Sequence, residues 1–588
     1  MEAEFTAAAH VAIRRRRPAG VATTAAAVAA TVALGLCAFG VGAASAATRY
    51  ARLHHVCAPA RPHRASCLAL SLTPVPAGAR GAVPYAAGAG AYATGPAGGF
   101  TPGDLATAYG YASATGGSDQ TIGIVDAFDD PNLEADLATF DAQYGLAACT
   151  AANGCLTKVS QTGSTTALPA ADTVGWSVEI TLDVEIAHAA CPHCKIALVE
   201  ADSETFADLA TATDEAVALG ATEVSNSYGG LENDVGAPER AAYDHPGIVV
   251  TAASGDSGWD NWDRLLESGF APGEPDAPAV LSTVVSVGGT ALALNSTGTR
   301  KTEAVWNDSG RPSGTGFKQF AATGSGCSAT VTAPVWQQSL AAWPASGCGT
   351  GRLDNDIAAV GDPYTGFDIY DSYAYEEAFK SGWLTIGGTS LSSPLVAALY
   401  GLAGGSHGAS YPAHTLYGHL GQSASLYDVK SGGSGYCDGE APGPCGEPEV
   451  NELLGPVDCE GTTACDARAG FDGPGGVGAP KGLSVFALAL PVVATKAASS
   501  VTSSSALLNG SVNPKGNAVT ACVFEYGQTA LYGQSAPCSS LPGSGNAAVA
   551  VSAAVAGLAA AHTYHFRITA TNAFGTSAGK DKTLKTTA

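Results

Sequence analysis

Between residues 121 and 287, short continuous apolar runs alternate with helix-length segments, and this rhythm limits the fold more than any other feature. The runs cover 121–126, 195–200, 222–227, 247–252 and 283–287, while 174–190 and 203–219 read as helices. Strands apolar on both faces need cover on both faces, so the pattern predicts a doubly wound, mostly parallel α/β sheet. Functional side chains in such folds gather at the carboxyl ends of the strands. Near the C-terminus the period changes. Alternating segments at 505–512, 519–526, 547–553 and 564–571, separated by turn residues, predict an all-β sandwich over 497–588.

The 588 residues allow two or three domains, and the interval 47–99, rich in Ala, Gly and Pro without sustained periodicity, reads as a linker or short propeptide. The formal charge of −24 excludes a phosphate-binding surface of clustered Lys and Arg, so no nucleic-acid partner is expected. Only 14% of residues are charged, which suits acid because few carboxylate interactions are lost on protonation.

Arg14 to Arg17 precede an apolar stretch at about 21–41 and the small residues Ala44-Ser45-Ala46. That is the layout of a cleaved signal peptide over 1–46, with an uncleaved anchor or a twin-arginine route as alternatives. Without Cys37 an even set of cysteines remains, consistent with disulfides in an oxidising compartment and hence with secretion. They fall into local couples: Cys57/Cys67, Cys149/Cys155, Cys191/Cys194, Cys327/Cys348, Cys437/Cys445, Cys459/Cys465 and Cys522/Cys538. The C-x-x-C at 191–194 could be a redox or zinc motif, but no second such pair completes a zinc site, and a structural loop is expected.

Three segments could carry chemistry. Gly388-Thr389-Ser390 leads from a turn into an apolar helix, with Pro394 expected in its first turn. The free N–H groups of such a terminus could stabilise an oxyanion beside Ser390, although Ser is also an ordinary N-cap. A nucleophilic serine needs a base, and no histidine sits in a Gly-flanked His-Gly-Thr-His pattern. His188, between Ala187 and Ala189, reads as a packed residue. The same helix carries Glu179 and Asp183 four residues apart, on one face among Trp176, Ile180, Leu182, Val184 and Ile186. Two enclosed carboxyls would share a proton, whereas a solvated stripe continuing through Glu185 is the plainer alternative. Finally, Asp256 occupies a Gly-rich turn at a strand's carboxyl end, as an active-site acid or as an Asx turn. The segment 225–229 after another strand could line a substrate cleft.

In this order, E-x-x-x-D at Glu179 and Asp183, G-D-x-G at Asp256 and G-T-S-x-x-x-P at Ser390 resemble the sedolisin family of serine-carboxyl peptidases. The resemblance covers about 100–490 and implies a subtilisin-like fold. It implies Ser390 as nucleophile, Glu179 as base, Asp183 as its partner and a protonated Asp256 as oxyanion donor. It also implies one calcium ion, held by the Asp428 and Asp472 carboxylates and by carbonyls of Val429, Arg468 and Gly470. Arg468 stands where the family has Gly, and 47–99 is too short for the long activation domain common in family precursors. The tail resembles a fibronectin type III module, expected to serve as a spacer or to contact cell wall or matrix. The expectation is therefore a secreted, monomeric, acid-active peptidase of protein or peptide substrates, endo-acting or tripeptide-releasing. The alternatives are a His-dependent subtilase and a catalytically silent binding protein on the same fold.

Overall fold

The expected strands form in an eight-stranded sheet, four of them within two residues of their sequence limits, while that expected at 283–287 runs on to Leu294. The computed structural model describes residues 49–58, 60–75, 83–85, 95–261, 273–308, 321–373, 382–435, 450–451, 455–456, 459 and 461–588. The export segment and the Cys437/Cys445 couple lie outside them. The sheet order is Arg300–Val305, Val285–Leu294, Val249–Ala253, Glu223–Asn226, Thr121–Ala127, Lys195–Ala201 and Leu156–Ser160, with Ile357–Val360 also paired to Val285–Leu294. All these pairs are parallel except that of Arg300–Val305.

Two consecutive residues show how the sheet is covered. Successive strand side chains point to opposite faces. Ser225 meets Ser393 of the helix Thr389–Ala403, Oγ to Oγ 3.0 Å, while Asn226 accepts from Thr213 of the helix Phe206–Ala218 at 3.2 Å. The helix Trp176–Ala190 packs beside Thr389–Ala403 and is buried along its whole length. Gly123 lets the helix Phe206–Ala218 come close: a Cβ there would lie 3.0 Å from Ala216 Cβ and 3.2 Å from Ala221 Cβ.

The interval read as a linker or propeptide forms strands. Arg49–His55, Leu70–Pro74 and Val83–Tyr85 join Phe367–Asp371 and Gly382–Gly387 in a five-stranded antiparallel sheet. Between them Ser66–Cys67 pairs with Tyr228–Leu231. Six of the expected cysteine couples are disulfides, including Cys191–Cys194, which closes a three-residue step as a structural loop.

The C-terminal region builds two facing sheets. One holds Val492–Ser499, Ser505–Asn513 and Val549–Ala556; the other holds Gln534–Pro537, Ala521–Gly527, Thr563–Asn572, Gly575–Ala578 and Lys582–Lys585. Leu508, Phe524, Phe566 and Ile568 fill the space between them. Asn572 Nδ2 donates to Ala489 O at 2.8 Å, and the Phe574 ring lies 4.7 Å from that of His414. No helix among the described residues is long and apolar enough to cross a membrane.

Gly123→Val should strain the strand–helix contact, because a branched side chain has no room beside Ala216 and Ala221. A loss of about 1–3 kcal/mol is expected, read as a lower midpoint in urea denaturation.

Candidate active site

Ser390 is placed by a turn that only glycine supports easily. Gly388 has φ 99°, and its N–H donates to Gly361 O at 2.6 Å. The helix begins at Thr389, so Pro394 is its sixth residue and lies inside the helix, not in its first turn as expected. The missing Pro394 N–H leaves the Ser390 carbonyl without its helical donor. Ser227 Oγ, on the loop between two strands, donates to that carbonyl at 3.4 Å, and Ser390 Oγ donates back to Ser227 O at 3.3 Å. The break in the helix ladder thus ties the serine to the segment 225–229.

Asp256 meets the same helix terminus. Its Oδ1 accepts from Thr389 N at 2.8 Å and Thr389 Oγ1 at 2.9 Å. This satisfies one of the free N–H groups at the helix start. Its Oδ2 is buried and has no hydrogen-bond partner among the described residues. Burial pushes Asp256 up to about 7, against the lowering effect of the Thr389 donors and the His55 charge. His55 is thus a histidine near the site that sequence reasoning did not single out.

Glu179 and Asp183 come from the facing helix, whose start is held by Asp172: Oδ2 accepts from Gly175 N and Ser177 N, each at 3.0 Å. Both carboxyls are fully buried, as is Glu185, so the solvated stripe does not occur. Glu185 accepts from Tyr370 N at 3.0 Å, a different partner from those of Glu179. Burial raises Glu179 well above the usual carboxylate range, and the Asp126 charge raises it further. The Ser390 hydroxyl and the Ala69 N–H approach closely enough to favour its ionised form, though neither is in hydrogen-bond geometry. Asp183 is likewise raised by burial, then by Asp126 and Glu179, with Ser227 opposing.

Asp126 is the site residue that sequence reasoning missed. It lies near the carboxyl end of Thr121–Ala127, fully buried, and burial raises it to about 8. The signal was available, since that strand end sits where α/β active sites gather. His188 is packed: Nε2 lies 3.0 Å from Ala147 O and 3.1 Å from Asp141 Oδ1.

The expected metal residues also converge. Asp472 is fully buried and accepts from Arg468 N and Gly475 N, each at 2.8 Å, while Asp428 accepts from Gly470 N at 3.0 Å. Val429 O is close by, 3.1 Å from a Cβ built on Gly475. Burial raises Asp472, and Asp428 and Asp466 add repulsion. The Arg468 guanidinium turns instead to Asp466, at 3.6 Å, and to Gly461 O.

A family model described as the subtilase family matches residues 162–455, half of the chain. The chain belongs to the subtilase family. This subtilase is 34% identical to kumamolisin of Bacillus sp. (strain MN-32) over 315 residues, 51% of each chain. It is 27% identical to xanthomonalisin of Xanthomonas sp. (strain T-22) over 376 residues, 57% of this chain and 42% of that one. The chain thus spans about half the length of the curated relatives it matches. Its fold is similar to that of Pseudomonas sedolisin, a serine-carboxyl proteinase solved with two molecules of pseudo-iodotyrostatin: TM-score 0.51, 25% identity, covering 67% of this chain and 98% of that one. Together these similarities support the sedolisin branch of the subtilases.

The raised carboxyls set the sign of the pH dependence of stability. Asp126 and Asp256 bind protons in the folded state at pH values where the unfolded chain, near 3.8, has released them. Stability is therefore fully present below about pH 4 and lost as pH rises through 7 to 8. The melting temperature should fall across that window, and Asp256→Asn should flatten part of the decline.

Proposed function

We propose that this subtilase is a secreted, acid-active serine-carboxyl peptidase that cuts protein or peptide substrates through an acyl-enzyme on Ser390. The observation that carries this reading is the enclosure of Ser390 with Glu179, Asp183, Asp126 and Asp256, with the Ser390 hydroxyl acting on the Glu179 carboxyl. Glu179 would take the Ser390 proton as the bond to the substrate carbonyl forms, then deliver it to the leaving amine. The charges of Asp126 and Glu179 act on Asp183, and that of Asp126 acts on Glu179, so one negative charge would be kept at the base while its neighbours stay neutral. Asp256, neutral below about pH 7, would donate from Oδ2 to the oxyanion while Oδ1 stays held by Thr389.

Calcium is proposed at the second cluster. The Asp428 and Asp472 carboxylates and the carbonyls of Val429, Arg468 and Gly470 form an all-oxygen set, the donor chemistry calcium takes. A buried Asp472 repelled by Asp428 and Asp466 fits a bound cation. The ion would stabilise the loops that carry these residues and plays no part in the bond cleavage.

Ser390→Ala and Glu179→Gln should each lower kcat by about 10³-fold or more, while Glu185→Gln, bonded to Tyr370, should keep most of the activity. Full activity in Glu179→Gln at the acidic optimum would sink the mechanism and favour a histidine base; no proteolysis by the wild type at any pH would favour a silent binding protein. Because an amide can donate where an ionised carboxylate cannot, Asp256→Asn should extend residual activity above pH 7. At a hundredfold excess over Kd, calcium should add about 2.7 kcal/mol of stability. A chelator should therefore lower Tm, and Asp428→Asn should make Tm insensitive to it.

A further inference from the structure

The C-terminal sandwich meets the rest of the chain through rings and neutral amides. Phe574, in the turn after Thr563–Asn572, lies against Gly418, where a built Cβ would be 2.6 Å from Phe574 Cζ and 2.6 Å from Ala489 Cβ. The His414 ring, on the helix Pro412–Tyr417, stacks on Trp336 at 5.0 Å and has Phe574 at 4.7 Å. Three side-chain amides donate at this seam: Asn572 to Ala489 O at 2.8 Å, Asn517 to Gly418 O at 2.9 Å and Gln422 to Lys515 O at 2.9 Å.

Two histidines sit in this seam. His419 Nε2 donates to Ala487 O at 2.8 Å, on the segment that leads into the sandwich. That bond sets the neutral tautomer, so a second proton would go on Nδ1, which is buried and has no hydrogen-bond partner among the described residues. A buried N–H with nothing to donate to is costly. Burial pushes His419 down and the Lys515 charge, on the sandwich, adds to this, while Ala487 O and Gln422 oppose it. Burial pushes His414 down as well. Among the elements packed around the two rings, Asp244 accepts from the Tyr411 hydroxyl at 3.3 Å. Asp356 accepts from that of Tyr417 at 2.7 Å and pairs with Arg352 at 2.6 Å. Neither carboxylate shifts either ring.

We propose that this seam is an acid-released latch, in which neutral His414 and His419 keep the sandwich docked and their protonation lets it go. Released, each ring is open to water and takes its proton near 6.5. Docked, it takes that proton only at lower pH, and a charged His419 faces the like charge of Lys515 across the seam. The docking these rings support is therefore complete above about pH 6.5 and weakens as pH falls. It weakens by about tenfold per pH unit for each histidine that is charged only in the released state. The carboxyls around Ser390 have the opposite sign, so acid leaves the body that carries them protonated while it frees the sandwich. A freed sandwich stays joined through residues 487–491, and its own core, with Leu508, Phe524, Phe566 and Ile568, does not depend on the seam. The chain would thus be compact in neutral medium and extended in acid, whether or not Ser390 cuts peptides.

The test uses the full chain carrying Ser390→Ala, so that proteolysis does not interfere, and follows small-angle X-ray scattering from about pH 7.5 to 4.5. The radius of gyration should rise as pH falls, with the near-ultraviolet circular dichroism unchanged. His414→Phe with His419→Gln keeps a ring on Trp336 and an amide for Ala487 O but takes up no proton, and this chain should stay compact throughout. Gly418→Val, whose side chain has no room beside Phe574, should be extended at every pH. Lys515→Met leaves both rings in place and should open at lower pH; an unmoved midpoint overturns the role of His419. A chain that stays compact at pH 4.5, as it would if attraction between Trp336 and a charged His414 prevailed, overturns the latch. So does opening of the double variant along the same curve, or loss of the near-ultraviolet signal in acid, which would mean unfolding instead of release.

Discussion

Everything at the centre of this molecule depends on burying carboxyl groups away from water. Asp126, Glu179, Asp183 and Asp256 are enclosed around Ser390, and in each case burial is the largest influence on the proton. Several ionised carboxylates could not persist together in such a space, so the site holds protons into the neutral range. The architecture provides the enclosure. A helix buried along its length supplies two of the carboxyls, a central strand supplies a third, and a strand-end turn supplies the fourth.

The link between serine and acid is also a matter of backbone accounting. The start of the Thr389–Ala403 helix has N–H groups to satisfy, and Asp256 takes that of Thr389. Pro394 removes a donor one turn later, and the Ser390 carbonyl turns to Ser227. These two local needs fasten the start of the Ser390 helix to Asp256 on one hand and to the segment 225–229 on the other. The segment 49–75 then uses the remaining open strand edges, pairing with Tyr228–Leu231 and Gly382–Gly387 and closing the site from solvent.

Much of this was legible in the sequence. Continuous apolar runs declared a covered parallel sheet, and alternating ones declared the C-terminal sheets, because side-chain period follows directly from backbone geometry. Local spacing placed Glu179 with Asp183 on one helix face and paired six couples of cysteines that are close in the chain. Position at a strand end pointed to Asp256 and could have pointed to Asp126.

What the sequence alone could not decide depends on long-range approach. Composition made 47–99 look like a linker, since its strands are short and find their partners at 228–231 and 382–387, far along the chain. Burial of Glu185 and the nearness of His55 to Asp256 likewise follow from which elements pack together, not from local pattern. Residue types and spacing pointed to Ser390, Glu179, Asp183 and Asp256 and determined the sheet that carries them. Only the tertiary structure decided which acids share one space and which segments pair beside them, because desolvation and strand pairing act between segments that are distant in sequence.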